Sequence, residues 1–475
     1  MNPRPLVVRE LSSPPGVIGA FAALRRLPYP LLLDSATAVT SVARYSFAMA
    51  DPRLVIRAKG RRIEIHDRRF GTIVRHEGRA LDVVAELLYG ELREASSNDE
   101  LPPFRGGAAG YIGYEYGEVL ETLPRPATDD LVIPDVVMGL YDWVVAWDHL
   151  TGRAWLLGED PRAIDAIAAR LEEIPRSTPP ECVLGNEGTT SPLAAGPWSS
   201  TFTAETYVTA VERVRAYIRQ GEIFQANLSQ RFCVPLGDGS VAAPWTLYRR
   251  LRSLNPAPFA SYFDFGDAVI VSISPERFLF VDANGTVETR PIKGTRPRAT
   301  SEAQDTAYQD ELLQSGKDAA EHVMIVDVLR NDLSRVCTYG SVTVPSLMAH
   351  ERHPTVHHLV STITGQLRST ATPIDLLHAC FPGGSITGAP KIRAMEIIAE
   401  LEPVTRGPYC GTIGYLSTSG AMDSSIAIRT CVITHGQAYF SAGGGIVADS
   451  EPTEEYAETL VKAQALLQAL TTTIL

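Results

Sequence analysis

The sequence lacks the features of a membrane or exported protein. Its 475 residues contain no apolar run of the roughly 18 to 20 residues that a membrane-spanning helix needs. Residues 1–5 (MNPRP) are not followed by an apolar stretch that ends in a small-residue cleavage site, as a leader would be. We therefore expect a cytoplasmic protein.

Cysteine is scarce and scattered. The six cysteines form no CxxC pair, and no histidine stands at metal-ligand spacing from any of them. We expect reduced thiols, with neither a disulfide scaffold nor a zinc site. They are Cys182, Cys233, Cys337, Cys380, Cys410 and Cys431.

The chain has fewer basic than acidic residues. The chain has 43 Lys and Arg against 55 Asp and Glu, a formal net charge of −12. Such a field repels nucleic acids and anionic membranes, so we expect neither as a partner. An anionic small-molecule substrate would need its positive charge supplied locally, by a few basic side chains or by a bound cation.

The remaining composition is that of a folded enzyme-sized protein. Hydrophobic residues make up 45% of the chain, an ordinary globular value. Residues 176–198 are rich in Pro, Gly, Ser and Thr without periodicity and predict a linker. This divides the chain into an N-terminal region, 1–190, and a C-terminal domain, 191–475.

Periodicity predicts a mixture of helices and antiparallel strands. Strand-like runs joined by turn signals alternate irregularly with separate helices, which favours an α+β fold over βαβ units. Helices are predicted at 203–220, 318–333, 390–401 and 452–470. Strands are predicted at 54–66, 136–147, 269–273, 278–281, 287–292, 424–434 and 437–442.

Two acidic pairs stand at i,i+3 spacing. Asp318 and Glu321 share a face of one predicted helix, and Glu455 and Glu458 begin another. Either pair alone is commonly a solvated face. If the two pairs converge, their oxygens suit a hard cation such as Mg²⁺ that holds an anionic substrate group.

A carboxylate and an amine face each other across a predicted hairpin. If Asn284 and Gly285 form a two-residue turn, Glu276 and Lys293 are cross-strand partners on one face. A lysine amine can act as a nucleophile, and a carboxylic acid can protonate a leaving hydroxyl. The alternative is an ordinary ion pair on an exposed face.

Other groups suit an anionic ligand. Arg429 lies in a strand-like run, and glycine-rich runs occupy 383–391 and 443–445. Glycine lets backbone N–H groups approach carboxylate oxygens closely, and the N-terminal ends of helices favour anions.

A series of motifs in residues 200–470 resembles the chorismate-utilising enzymes, the family of anthranilate synthase large subunits, aminodeoxychorismate synthases, isochorismate synthases and salicylate synthases. The resemblance implies large antiparallel sheets packed face to face with helices outside. More weakly, 31–36 and 106–113 resemble the family's N-terminal part, where relatives bind tryptophan. The motifs are GEIFQANLSQR (221–231), SPERF (274–278), PIKGTRPR (291–298), AEHVMIVDVLRNDL (320–333), HLVS (358–361), GGSITGAPK (383–391) and GGGIV (443–447).

The resemblance also implies site residues. Glu321 and Glu458 resemble the family's Mg²⁺ ligands, and the ion would hold the ring carboxylate of chorismate. Asp318 and Glu455 are the second members of their pairs. Glu276 resembles the general acid that protonates the departing C4 hydroxyl. The substrate-binding positions implied are Tyr409, Arg429, Gly444, Gly445, His358, Ser385, Thr387 and Lys462.

Two positions separate the members of this family. Water-using relatives carry a lysine base where this chain has Gln225. Anthranilate synthases usually read PIAGT where Lys293 stands here in PIKGT. Lysine there resembles the aminodeoxychorismate synthases, in which the amine attacks C2 of chorismate and ammonia then enters at C4. No glutaminase segment is evident, so we expect a separate glutamine amidotransferase subunit to supply ammonia.

Two alternatives stay open. The first is anthranilate synthase component I, favoured by the adjacent Glu321 and His322. The second is a non-catalytic chorismate or tryptophan binding protein, which the intact acidic pairs and the pair of Glu276 and Lys293 disfavour.

Overall fold

Two large antiparallel sheets form the framework of the computed structural model. Twelve strands belong to each sheet in the described part of the chain. The structure describes residues 6–37, 42–89, 100–126, 128–174, 192–237, 243–353 and 356–471.

The first sheet runs from the N-terminal strand to strands that flank the site. In spatial order its strands are β1 (Val7–Glu10), β10 (Arg153–Gly158), β9 (Trp143–Asp148), β3 (Tyr45–Met49), β2 (Leu31–Asp34), β13 (Phe259–Asp264), β14 (Val269–Ser274), β23 (Thr430–Thr434), β24 (Gln437–Ile446), β12 (Gln225–Pro235) and β11 (Ser199–Ser200), with β20 (Gly388–Ala389) beside β12.

The second sheet contains the remaining strands. In spatial order these are β17 (Ile292–Pro297), β19 (Val356–Gln366), β16 (Thr286–Thr289), β15 (Arg277–Val281), β22 (Met422–Ile426), β21 (Thr412–Ser417), β7 (Gly107–Ile112), β8 (Val136–Tyr141), β4 (Leu54–Lys59), β5 (Arg62–Asp67) and β6 (Thr72–Glu77), with β18 (Thr343–Arg352) beside β19.

Helices cover the outer faces of both sheets. They are α1 (Val17–Leu24), α2 (Ala80–Tyr89), α3 (Gly117–Leu120), α4 (Pro161–Glu172), α5 (Ala204–Arg219), α6 (Ala243–Leu254), α7 (Glu302–Gln314), α8 (Gly316–Ser334), α9 (Pro373–Cys380), α10 (Lys391–Leu401) and α11 (Pro452–Thr471).

Four apolar clusters hold these layers together, and the smallest packs α5 and α10 against β12. One lies between the sheets and joins Phe47 of the first to Tyr415 of the second. A second packs α1, α4, α6 and α11 on the first sheet, and a third packs α2, α8 and α9 on the second. The predicted α+β fold, with sheets packed face to face and helices outside, is confirmed. No helix in the described ranges is long and apolar enough to cross a membrane.

Strands from both sides of residue 190 pair directly. Leu31 in β2 pairs with Phe263 in β13, and Ala108 in β7 pairs with Leu416 in β21. The division of the chain near residue 190 therefore does not separate the sheets. Positions 176–191 of the predicted linker lie outside the described residues.

The predicted helix at 203–220 is confirmed as α5, which begins with a capping box. The Thr203 hydroxyl accepts a hydrogen bond from the Thr206 N–H at 3.3 Å, so the first turn is satisfied locally. The turn at His435 and Gly436 is also confirmed, because Thr434 pairs with Gln437 across it.

The predicted strand at 424–434 is wrong as one element. The chain forms β22 in the second sheet and β23 in the first, and it crosses between the sheets at Arg429. This residue has a φ of +49°, which interrupts an extended strand. Arg429 therefore lies at the junction of the sheets, and not in the middle of a strand.

Candidate active site

Two helices bring the acidic pairs to one end of the first sheet. Helix α8 packs on β17 and α11 packs on β24. The Ser315 hydroxyl accepts a hydrogen bond from the Asp318 N–H at 3.2 Å and caps α8. Each pair lies in the opening turns of its helix, so both helices direct acids toward the glycine-rich end of β24.

The α11 acids share the space over Gly444. The Glu455 carboxylate is buried, and its Oε1 accepts a hydrogen bond from the Ser450 hydroxyl at 2.6 Å. A Cβ on Gly444 would lie 3.1 Å from Glu455 Oε2 and 3.5 Å from Glu458 Oε1. Glycine at 444 therefore leaves room for two carboxylate oxygens that approach one point.

Glu321 on α8 faces the α11 acids. Burial raises the pKa of Glu321, and the charges of Glu455 and Asp318 raise it further, against the opposing effects of Lys293 and Lys317. The acids of α8 and α11 therefore interact electrostatically and form one acidic cluster. Asp318 is turned aside, since its carboxylate accepts a hydrogen bond from Arg296 Nη2 at 3.3 Å.

The acids fit a hard cation by ligand chemistry, but their present arrangement is not a finished metal centre. Among the described residues, no three His, Cys, Asp or Glu side chains are grouped closely enough to hold a metal ion. Instead, lysine ammonium groups supply the positive charge. Lys317 lies 3.3 Å from Glu455 and Lys462 lies 2.6 Å from Glu458.

Glu276 is a buried carboxylic acid beside this cluster. Its Oε1 accepts a hydrogen bond from the Ser385 hydroxyl at 2.8 Å. Burial raises the pKa of Glu276 to about 7, although the Ser385 hydrogen bond and the Lys293 charge oppose the shift. A carboxyl that is still protonated near neutral pH can act as a general acid.

The predicted cross-strand pairing of Glu276 with Lys293 is wrong. The hairpin has a three-residue turn, since the Asp282 N–H donates to the Thr286 carbonyl at 3.0 Å, and Gly285 takes a φ of +80°. Such a turn moves the register by one residue. Lys293 instead pairs with Leu359 on the neighbouring strand β19.

The Lys293 amine nevertheless lies beside Gly445 and within range of the Glu276 charge. A Cβ on Gly445 would lie 3.4 Å from Lys293 Nζ. The Lys293 charge lowers the pKa of Glu276 and opposes the raised pKa of Glu321. The ammonium group therefore lies between the buried acid and the acidic pairs.

Arg429 is a partly buried guanidinium without an acidic partner among the described residues. Its charge reaches His358, whose Nδ1 is 3.0 Å from the Thr295 hydroxyl. Burial, with a further effect of Arg429, lowers the pKa of His358 to about 3. An unpaired cation beside a neutral imidazole favours binding of a carboxylate.

The other predicted substrate residues differ in the contacts that they make. The Tyr409 side chain is buried, under the guanidinium of Arg406 at 5.9 Å. Lys462 donates to the Gly443 carbonyl at 2.8 Å. The Thr387 hydroxyl donates to the Gly383 carbonyl at 2.9 Å, which shapes its own loop.

Sequence reasoning did not predict that two side chains contact the acidic cluster. The first is Lys317. The second is Gln225, whose amide covers Gly445 and whose Nε2 lies 3.5 Å from Glu321 Oε2. Its Oε1 is buried without a hydrogen-bond partner among the described residues. The motif at 221–231 could have indicated Gln225 as a residue of the site. Lys317 gives no such indication, because an exposed lysine in a helical turn is common.

A cavity of about 470 Å³ lies away from these acids. Strand β2 lines it through Leu33 and Asp34, and β3 lines it through Tyr45 and Phe47. This volume is typical of a small-molecule site. The cavity contains part of the 31–36 segment.

Comparison with known proteins assigns the chain to a family. A family model described as chorismate binding enzyme matches residues 31–468. The chain belongs to the chorismate binding enzyme family. The match also crosses residue 190, as the sheets do.

Relatives of similar identity carry two different names. Aminodeoxychorismate synthase component 1 of Escherichia coli (strain K12) is 40% identical over 450 residues, which are 95% of this chain and 95% of the relative. Anthranilate synthase component 1 of Acetivibrio thermocellus is 40% identical over 452 residues, 92% and 89% of the two chains. Overall identity therefore does not separate the two activities.

A solved structure supports the same fold. Anthranilate synthase component I from Streptococcus pneumoniae TIGR4 matches with a TM-score of 0.76 and 34% identity, over 90% of this chain and 93% of that chain. The discrimination between members of the family must come from individual residues of the site.

Proposed function

We propose that this protein is an aminodeoxychorismate synthase component I, which converts chorismate and ammonia into 4-amino-4-deoxychorismate. The single observation that supports this activity is Lys293, whose amine lies beside Gly445 and close enough to Glu276 for its charge to act on that carboxyl. A lysine at that position gives the site a nucleophile in addition to an acid.

In the first half of the proposed reaction, the Lys293 ammonium group first gives a proton to solvent, and the resulting amine attacks C2 of chorismate. Both ring double bonds shift by one position, and the C4–O bond breaks. Glu276 donates its proton to the departing hydroxyl, which leaves as water. The Ser385 hydrogen bond at 2.8 Å holds the carboxyl for this transfer.

In the second half, ammonia forms a bond with C4. Both ring double bonds shift back, the bond between C2 and Lys293 breaks, and the lysine amine is restored. The added nitrogen gives its surplus proton to the Glu276 carboxylate. The balance is chorismate plus ammonia to aminodeoxychorismate plus water, so both side chains return to their starting states.

The anionic groups of the substrate need positive partners in an acidic protein. Arg429, which has no acidic partner among the described residues, suits the enolpyruvyl carboxylate, with the buried Tyr409 and the β24 backbone at Gly445 beside it. His358 and Lys462 line the same space. A neutral His358 adds no second charge there, and Thr387 contributes through the loop shape that its hydroxyl holds.

Mg²⁺ is the proposed cofactor. Glu321, Glu458 and Glu455 offer the carboxylate oxygens that this ion prefers, and Gly444 leaves the space between two of them. Asp318 would support Glu321 from the same helix turn. When bound, Mg²⁺ would supply positive charge to the ring carboxylate of chorismate.

Two further ligands belong to the proposal. A separate glutamine amidotransferase subunit would supply ammonia, as the name component 1 of the relatives suggests. Tryptophan would occupy the cavity of about 470 Å³ that β2 and β3 line. A rise in Tm with added tryptophan would support that occupant, and an unchanged Tm at saturating tryptophan would contradict it.

Anthranilate synthase component I is the second candidate function, because relatives with that name are equally similar over most of the chain. Product identity separates the two. Purified protein with chorismate, Mg²⁺ and ammonium should form aminodeoxychorismate, identified by mass and by the absence of anthranilate fluorescence. Anthranilate as the product would overturn the proposed activity in favour of the alternative.

A further inference from the structure

Lys317 is a charged member of the acidic cluster that the proposed reaction does not use. It lies in the first turn of α8, and its Nζ donates to Glu455 Oε1 at 3.3 Å. The same oxygen accepts the Ser450 hydroxyl at 2.6 Å. Glu455 Oε2 instead points toward Gly444 and Glu458.

One ammonium group is coupled to three carboxylates. Burial by itself would lower the pKa of Lys317, but the charges of Glu455, Glu321 and Glu458 outweigh burial and raise it. These are the carboxylates that we assign to Mg²⁺. The inference about Lys317 therefore depends on the proposed metal site.

Lys317 has fewer partners than the second lysine. Lys462 contacts both Glu458 and the Gly443 carbonyl. The Lys317 side chain is 47% exposed, and its ion-pair partner is the buried Glu455. A lysine ammonium on a flexible four-carbon stem can turn into water once another cation replaces its charge beside that carboxylate.

We propose that Lys317 is a displaceable counter-ion, which balances the acid cluster in the metal-free protein and competes with the divalent cation for it. Two positive charges cannot approach the same carboxylates without repulsion. Cation binding therefore turns Lys317 away from Glu455, and the lysine lowers the affinity of the cluster for the metal.

The test is direct calorimetric titration of Mg²⁺ into the full-length protein, with Mn²⁺ as a second probe. Lys317→Met should bind the cation about three- to tenfold more tightly, from the loss of one partly screened charge. In the presence of chelator, Lys317→Met should have a lower Tm than wild type, and added Mg²⁺ should close that gap.

Two controls isolate the role of position and charge. Lys317→Arg keeps the charge and should retain an affinity close to that of wild type. Arg330→Gln makes the same charge change on α8, about 20 Å along the helix, beside its exposed partner Asp327. It should leave cation affinity unchanged.

The outcomes separate this inference from the proposed function. A wild-type protein that binds Mg²⁺, with Lys317→Met binding equally or more weakly, overturns the counter-ion role and leaves the metal site intact. A wild-type protein that binds neither Mg²⁺ nor Mn²⁺ overturns both. Equal tightening in Arg330→Gln would also reject the local role, since net charge alone would explain it.

Discussion

At the scale of single residues, the surroundings of Glu276 set the pH range of the reaction. Burial raises the pKa of this carboxyl to about 7, and only its protonated form can donate to the leaving hydroxyl. Turnover should therefore decline as pH rises through about 7. Glu276→Gln should lower kcat by about 10² to 10⁴-fold, the usual contribution of a positioned acid.

Ser385 offers a sharper check of the same prediction. Its hydrogen bond lowers the pKa of Glu276, so Ser385→Ala should move the alkaline limb of the kcat profile to higher pH. Ser385→Thr, which retains a hydroxyl, should restore the original limb. An alkaline limb that stays in place in Ser385→Ala would mean that another group controls it.

The acidic pairs predict unequal effects of neutral substitutions. Glu321→Gln and Glu458→Gln should each abolish Mg²⁺-dependent turnover while the protein keeps its Tm within a few degrees. Asp318→Asn should reduce turnover less, because the Asp318 carboxylate accepts a hydrogen bond from Arg296 and is directed away from the other acids. Assays with and without chelator provide the measurement. Full activity of wild type in excess chelator would refute the metal role.

At the scale of elements, the sequence predicted helices better than pairings. Helix α5 carries its start signal in Thr203, so local residues were sufficient. The hairpin before Lys293 failed because a turn of three residues differs from one of two by a single register step. Arg429 was placed in a strand since periodicity does not reveal where a chain changes sheets.

Neighbouring glycines in β24 should respond differently to alanine. A Cβ at Gly443 would meet the backbone carbonyl of Leu228, which cannot yield, so Gly443→Ala should lower Tm clearly, in line with about 1 to 3 kcal/mol for overpacking. A Cβ at Gly445 would displace the flexible Gln225 amide and crowd Lys293.

Gly445→Ala should therefore keep most of the thermal stability and lose turnover. Thermal unfolding and kcat of both variants give the comparison. Equal losses of Tm in the two variants would show that the crowding at Gly445 is structural, and would remove the argument for an open space beside Lys293.

At the scale of the whole molecule, both sheets need both parts of the chain. Without residues 1–190, β13 would lose its partner β2 and β21 would lose β7, and two long strand edges would be exposed. The fragment 191–475 should therefore aggregate or unfold, as shown by circular dichroism and size-exclusion chromatography. A monomeric fragment with cooperative unfolding would contradict this.

The site itself lies where the two sheets meet. Lys293 comes from the second sheet, Gly445 from the first, and the acids from two helices outside them. Sequence motifs predicted which residues are involved, but their contacts depend on long-range packing. Lys317 could not be predicted from the sequence, because nothing in its local sequence distinguishes it from a solvated lysine.

The covalent role of Lys293 is the central claim, and mass spectrometry tests it most directly. The protein is incubated with chorismate and Mg²⁺ without ammonia, then digested. The account predicts that the peptide with Lys293 gains the mass of chorismate less one water, that ammonia removes the adduct, and that Lys293→Ala shows none. An active protein whose Lys293 peptide never gains this mass would contradict the account.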